Sequence, residues 1–107
     1  MTLGILLRSE GFEVQLARGG VQVPQAVARF EPDVIFLGLA MSEYDGLYVA
    51  QTLKQYLGER CPLLIALAGE GTGADRQKVE ASGFKHYFAK PYDPEALLKI
   101  VFSSTPR

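Results

Sequence analysis

The carboxyl end of the best-defined predicted strand is the first place to look for chemistry in this sequence. Residues 33–46 read DVIFLGLAMSEYDG, an apolar run that predicts a buried strand, followed by a polar loop. In α/β proteins the residue that emerges at the end of such a strand usually contributes to a site. Here that residue is Gly38, which has no side chain and supplies neither a nucleophile nor a ligand. The following Asp45-Gly46 is interpreted as a helix cap and turn, with Gly46 chosen for its backbone freedom.

Sulfur and imidazole chemistry are limited by composition. The chain has one cysteine and one histidine. Cys61 can form no internal disulfide, and with only His86 as a soft co-ligand it cannot build a Cys/His zinc site. Cys61 is therefore interpreted as packing beside Pro62, and His86 as an ordinary strand residue.

A glycine-rich segment is the rival signal for chemistry. Residues 69–76, GEGTGADR, follow a predicted strand and open a predicted helix, as a phosphate-cradling loop does. The glycine spacing differs from G-x-G-x-x-G, and the acidic Glu70 would repel a pyrophosphate. We interpret the segment as a mobile loop and expect no nucleotide cofactor.

Length and composition predict one globular domain. The chain has 107 residues, of which 48% are hydrophobic and 21% charged, with a formal net charge of -1. Such a balance gives no global field that would attract nucleic acid or an anionic membrane. The apolar runs are too short to span a bilayer, and no signal peptide is recognisable, so a cytoplasmic protein is expected.

The pattern of elements alternates strands with helices. Strands are predicted for EVQLA (13–17), DVIFLGL (33–39), PLLIALAG (62–69) and KHYFAKP (85–91), and helices for segments within 2–11, 21–30, 47–57, 74–83 and 93–102. Gly11 and Gly83 are expected to end helices, whereas Asp93 and Pro94 are expected to begin the last one. This alternation predicts a parallel sheet with helices on both faces.

Together these segments resemble the response-regulator receiver domain, the phosphoacceptor module of two-component signalling, over nearly all of residues 2–103. Residues 38–46, GLAMSEYDG, have the spacing of the family's D-x-x-M-P-x-x-D-G pattern, and the later strands end in ALAG and YFAKP. The resemblance implies a flavodoxin-like three-layer α/β/α sandwich with a parallel sheet. It assigns residues 1–103 to the domain and 104–107 to a tail.

The resemblance also shows where this chain departs from its family. Gly38 stands at the phosphoacceptor position, where a carboxylate is needed, so an acyl phosphate cannot form there. Ala68 stands where the family has Thr or Ser, and Lys90 is retained before Pro91. The acidic pair of the family's magnesium site is missing, so no metal is expected. Lys90 should turn to solvent, or pair with Asp45 or Glu43, because an unpaired buried ammonium is costly.

The family's first strand, central in the strand order 2-1-3-4-5, is expected to be missing from this chain, which begins inside the first helix. The resulting gap between residues 13–17 and 33–39 would leave unpaired backbone groups. We expect it to be closed by direct pairing of the flanking strands or by self-association, as a homodimer or through a swapped strand. A third alternative is that the chain is a fragment of a longer reading frame.

The resulting hypothesis is a receiver-type signalling module, not an enzyme, that accepts no phosphate and acts through protein–protein contact. The resemblance implies a histidine kinase or output domain as partner, docked on the family's fourth helix, fifth strand and fifth helix, with Tyr87, Lys90 and Pro91 on that face. Without its acidic partners Lys90 is more simply interpreted as a charged strand end, and Tyr87 as a fixed surface aromatic that contributes contact area. The alternative hypothesis is a truncated remnant of a phosphoacceptor receiver from a hybrid sensor kinase or larger response regulator.

Overall fold

The computed structural model describes residues 3–16, 23–39, 43–68 and 76–105, without the side chains of residues 43–45 and 76. The chain divides into two compact units, Met1–Glu31 and Pro32–Arg107. The glycine-rich segment interpreted as a mobile loop lies, over residues 69–75, outside the described residues.

The described residues of the first unit form two short helices. Helix α1, Leu3–Ser9, ends as its sequence predicts: Gly11 has a φ of +92°, and the Phe12 backbone N–H donates to the carbonyl oxygen of Leu7 at 3.1 Å. This is the hydrogen bond of a glycine-terminated helix end. Helix α2, Val23–Phe30, has Pro24 in its first turn, where no backbone N–H is needed.

The prediction of a strand at residues 13–17 is wrong for the part that the structure describes. Residues 13–16 are in neither strand nor helix, and the guanidinium of Arg8 donates to the carbonyl oxygen of Val14 at 3.2 Å. Leu16 is 72% exposed. An alternating sequence becomes a strand only where a neighbouring strand satisfies its backbone groups, and over residues 13–16 none does.

The second unit is built on a parallel sheet. Among the described residues it has three strands, β1 (Val34–Gly38), β2 (Leu63–Ala68) and β3 (His86–Ala89), in the order β1-β2-β3. Val34 is aligned with Leu63, and Ala68 with Ala89. The central strand β2 is apolar on both faces and forms the core, since Leu64, Ile65 and Ala66 are fully buried.

In the described part of this unit, three helices and a short 3-10 helix connect and follow these strands. They are α3 (Glu43–Leu57), the 3-10 helix Gly58–Arg60, α4 (Arg76–Ala81) and α5 (Pro94–Ser104). Gly83, with a φ of +107°, lies two residues after the end of α4, and Asp93 caps α5: its carboxylate accepts the Glu95 backbone N–H at 3.1 Å. These ends follow the predictions from Gly83, Asp93 and Pro94. No helix in the described parts of the chain is long and apolar enough to cross a bilayer.

The interpretation of Asp45-Gly46 as a helix cap and turn is wrong. Helix α3 begins at Glu43, so both residues lie inside it, and Gly46 is not among the glycines with positive φ. A Cβ atom at Gly46 would collide with the side chain of Leu39 and would lie 3.2 Å from the carbonyl oxygen of Gly38. Glycine is required there because the helix passes close to the end of β1, not because the backbone turns.

Candidate functional site

The ends of the three strands bring the predicted site positions to one edge of the sheet. The Leu39 backbone N–H donates to the carbonyl oxygen of Leu67 at 2.7 Å, and that of Lys90 donates to the carbonyl oxygen of Ala68 at 3.0 Å. These hydrogen bonds extend the ladder just past Gly38 and Ala89. Gly38, Ala68 and Lys90 therefore lie on three neighbouring strands at their carboxyl ends, where ligands bind in parallel α/β sheets.

Gly38 is exposed and has room around it. Among the described residues, a Cβ atom built at Gly38 would meet no heavy atom within 4 Å, whereas a Cβ atom built at Gly46 would make close contacts with Leu39 and with the Gly38 carbonyl oxygen. The position at the end of β1 is thus open toward solvent and presents backbone only. It contains no group that could accept or hold a phosphoryl group covalently.

The other two positions of this edge differ in burial. The methyl group of Ala68 is buried, at 1% exposure, and carries no hydroxyl that could donate to an anion. Lys90 is exposed, at the end of β3, and is followed by Pro91, also exposed. The edge therefore combines an absent side chain, a buried methyl group and one solvent-exposed cation.

The next residue, Tyr92, is half-buried beside this edge. Burial raises the pKa of its phenol above the ordinary tyrosine value. Tyr92 is therefore neutral at physiological pH and offers a hydroxyl rather than a charge.

Metal ligands are the remaining requirement of a phosphoacceptor site. In the described residues, no three His, Cys, Asp or Glu side chains lie close enough together to hold a metal ion. The thiol of Cys61 lies away from this edge, just after the 3-10 helix; burial raises its pKa, and the nearby positive charge of Lys54 partly opposes that rise.

A second feature of this unit is a groove of about 220 Å³ between α4 and β3. Tyr87, predicted to lie on the interaction face, lines it, together with residues that the sequence did not single out for this surface: Val79, Glu80, Phe84, Lys85, His86 and Phe88. Val79 and Phe84 are buried, Glu80 and Lys85 are exposed, and most of the accessible surface that lines the groove is polar. Lys90 and Pro91 lie beyond the groove, at the end of the same strand.

Sequence patterns alone could not have located this groove. The alternation along β3 does indicate that neighbouring residues face opposite sides of the sheet. Which side is left open depends on where α4 lies, and α4 is positioned by contacts such as the hydrogen bond from the Gln51 side-chain amide to the Ser82 hydroxyl at 3.3 Å.

These features define a class, namely an α/β protein with a parallel sheet whose predicted site positions lie at the carboxyl ends of its strands. The chain belongs to the response-regulator receiver family, because the model of the response regulator receiver domain matches residues 1–102. It is thus a receiver domain of two-component signalling. The predicted family and flavodoxin-like fold class are confirmed.

Curated relatives agree with this membership. The chain is 34% identical over 92 residues to the response regulator MprA of Mycobacterium leprae, covering 86% of this chain and 40% of that protein. It is 31% identical over 101 residues to the DNA-binding dual master transcriptional regulator RpaA of Synechocystis, covering 92% of this chain and 41% of that protein. The chain therefore spans about two fifths of the length of these regulators.

Solved structures show the same fold. The receiver domain of a response regulator from Bermanella marisrubri superposes with a TM-score of 0.79 at 28% identity, covering 94% of this chain and 82% of that one. The receiver domain of the sensor histidine kinase PA1611 from Pseudomonas aeruginosa, which has magnesium in its active-site cleft, gives a TM-score of 0.78 at 25% identity, covering 95% and 84%.

Proposed function

We propose that this receiver domain accepts no phosphate at the family's phosphoacceptor position and signals through protein–protein contact, without catalytic activity of its own. The observation that carries the proposal is Gly38, which is open and lacks a carboxylate at the carboxyl end of β1. Ala68 supports it, because a buried methyl group cannot donate a hydrogen bond to a phosphoryl oxygen.

Phosphate acceptance is tested by incubation with acetyl phosphate and magnesium, followed by intact-mass measurement. We expect the mass to stay at that of the unmodified 11.7 kDa chain. A hydroxylamine-labile gain of about 80 Da, the mass of one phosphoryl group, would contradict the proposal. The PA1611 receiver domain, whose cleft binds magnesium, serves as the positive control for the acetyl phosphate treatment.

We further propose that the partner, a histidine kinase or an output domain, docks on the surface formed by α4, β3 and α5. This surface includes Tyr87, Lys90 and Pro91, and the groove beside Tyr87 adds the exposed charged residues Glu80 and Lys85. Polar and charged residues are typical of the rim of a protein–protein interface. A cytoplasmic location, predicted from the sequence, fits such a partner.

Docking is tested by measuring binding to a panel of purified histidine-kinase phosphotransfer domains and output domains from the same genome. Tyr87→Ala should weaken the binding of a domain that docks here roughly tenfold, the usual loss for a central aromatic contact. Glu13→Ala, an exposed change in the other unit, is the matched control and should bind as the wild type does. Equal affinities of the Tyr87→Ala protein and the wild type would exclude this surface.

A second candidate function is that of a receiver unit within a larger response regulator or hybrid sensor kinase. The lengths of the relatives favour it: the match to the signal transduction histidine-protein kinase BarA of Shigella flexneri covers 97% of this chain but 11% of that kinase. Reading the DNA that flanks the coding region tests it. An in-frame output or kinase domain would support this candidate, and stop codons on both sides would exclude it.

A further inference from the structure

Charge is unevenly distributed along this chain. Residues 76–92, which contain α4 and β3, have four basic residues and one acidic residue, a net charge of +3. The basic residues are Arg76, Lys78, Lys85 and Lys90, and the acidic residue is Glu80. Because the whole chain has a formal net charge of -1, its remaining residues have a net charge of -4. We call residues 76–92 the basic segment.

The cations of the basic segment whose side chains the structure describes are accessible to a partner. The side chains of Lys78, Lys85 and Lys90 are all exposed. Lys85 lines the groove between α4 and β3, and Lys90 follows the last residue of β3. These two lysines are five residues apart, or about 16 Å along an extended strand. Cations therefore lie at both ends of β3.

The acidic residues that follow the basic segment are Asp93 and Glu95, at the start of α5. The Asp93 carboxylate accepts the Glu95 backbone N–H at 3.1 Å and is therefore engaged in capping the helix. Both carboxylates lie at the N-terminus of α5, where the partial positive charge of the helix end offsets part of their negative charge. The positive charge of the basic segment is thus not cancelled by the residues that follow it.

The groove between α4 and β3 suits the side chains of a larger partner. Its volume is about 220 Å³, below the roughly 300–1,000 Å³ of pockets that hold a small molecule. Most of its accessible surface is polar, and Glu80, Lys85 and His86 belong to its lining. An apolar anchor would leave polar groups without hydrogen-bond partners, whereas a carboxylate accepts hydrogen bonds from lysine.

From this charge distribution we propose that the partner docks on the basic segment through an acidic stretch of its own chain. Extended residues rich in Asp and Glu lie along β3, with carboxylates that accept hydrogen bonds from Lys85 and Lys90. The inference rests on the proposed docking of a partner on the surface of α4, β3 and α5, and it names the chemistry that this surface recognises. Opposite charges on two partners raise their association rate and fix their orientation.

Two other polyanions, nucleic acid and an anionic membrane, fit this molecule less well. Both extend far beyond the roughly 16 Å between Lys85 and Lys90, and their binding grows with the number of cations that meet their phosphates. The remaining residues of the chain, with a net charge of -4, repel such large anions. An acidic stretch of about seven residues is short enough to contact β3 alone.

Peptide binding by the full chain is the first test, measured by fluorescence anisotropy with labelled peptides of about ten residues, enough to span β3. The probe alternates Glu with Ser, and its counterparts have Gln or Lys at every Glu position. We expect the Glu peptide to bind at least about tenfold more tightly than the Gln or Lys peptide. Between about 0.1 M and 1 M salt, where the Debye length falls from about 10 Å to 3 Å, this preference should disappear.

Two variants of the basic segment locate the binding. Lys85→Glu/Lys90→Glu should weaken binding of the Glu peptide at least about tenfold, because both cations become anions. Glu80→Gln removes the negative charge of the groove and should strengthen binding up to about fivefold, a gain that unfolding cannot produce. Arg29→Glu/Arg60→Glu changes the net charge of the chain equally at exposed positions outside the basic segment. This matched control should bind the peptide as the wild type does.

The outcomes separate the acidic partner from the docking surface itself. Equal binding of the Glu and Gln peptides overturns the inference, as does an equal loss in Lys85→Glu/Lys90→Glu and in the control. Tighter binding of a dT oligonucleotide than of the Glu peptide overturns it in favour of nucleic acid. If Tyr87→Ala weakens the binding of a partner domain and Lys85→Glu/Lys90→Glu does not, the docking surface stands and the acidic stretch is excluded. Circular dichroism checks that each variant is folded.

Discussion

At the scale of single residues, Gly38 and Gly46 show that two glycines in one family pattern can have unrelated causes. Gly38 is exposed, and a Cβ atom there would touch nothing within 4 Å in the part of the chain that the structure describes. Gly46 is buried, and a Cβ atom there would collide with Leu39, which is itself fully buried and cannot move aside freely. The first glycine removes a chemical function, and the second permits a close approach between α3 and β1.

This difference predicts opposite effects of the same substitution. Gly46→Ala should lower the free energy of unfolding by about 1–3 kcal/mol, the usual cost of overpacking, despite the better helix propensity of alanine. Gly38→Ala is the matched control and should be neutral or stabilising by up to about 1 kcal/mol. Urea unfolding of the two variants measures both values, and a Gly46→Ala protein as stable as Gly38→Ala would contradict the packing argument.

The thiol of Cys61 gives a prediction about pH. Burial raises its pKa and the charge of Lys54 lowers it, with burial the larger effect. Because the thiolate is the reactive form, the rate of alkylation by iodoacetamide should reach its midpoint at a higher pH than for a free thiol. Lys54→Met keeps an unbranched chain against Gly83 but removes the charge, so it should move the midpoint higher still. A lower midpoint in the Lys54→Met protein would contradict the inference that the Lys54 charge lowers the pKa of Cys61.

At the scale of elements, the ends of the helices follow local rules that need no tertiary context. Gly11 and Gly83, both with positive φ, follow the ends of α1 and α4, and the Asp93 carboxylate caps α5 by accepting the Glu95 backbone N–H. Each of these helix ends depends on a few consecutive residues. The strand predicted at 13–17 could not be predicted in this way, because a strand needs a partner strand that lies far away in the sequence.

The cap of α5 can be tested directly. Asp93→Ala removes the acceptor for the Glu95 N–H and should lower the free energy of unfolding by about 1 kcal/mol, within a usual range of 0.5–2. Asp93→Asn retains an acceptor oxygen and should cost much less, which separates the hydrogen bond from other effects of the position. Thermal unfolding followed by circular dichroism compares the two, and equal losses would argue against the cap.

At the scale of the whole molecule, the second unit has a core centred on β2. This strand pairs with β1 on one side and β3 on the other, and Leu64, Ile65 and Ala66 have no exposed surface. Residues 13–16 of the first unit, by contrast, are in no described strand or helix. Among the described residues, β2 is therefore hydrogen-bonded to a strand on each side, whereas residues 13–16 form no strand hydrogen bonds.

Hydrogen exchange should reflect this contrast. The backbone amides of residues 64–67 should exchange orders of magnitude more slowly than those of residues 13–16, because the former open only with the core. Exchange followed by mass spectrometry of peptides covers both segments, and the urea-unfolded chain provides the rates without structure. Comparable protection of the two segments would mean that residues 13–16 are paired in solution.

The sequence by itself determined the family, the three described parallel strands, the glycine and aspartate ends of the helices, and the absence of a carboxylate at Gly38. These features depend on residue types and on short spacings along the chain, so they can be predicted from local sequence. The tertiary structure decided the role of Gly46, the groove beside Tyr87, the burial of Ala68 and the state of residues 13–16. Each of these depends on the distance between segments far apart in the chain, and such distances arise only when helices pack on the sheet.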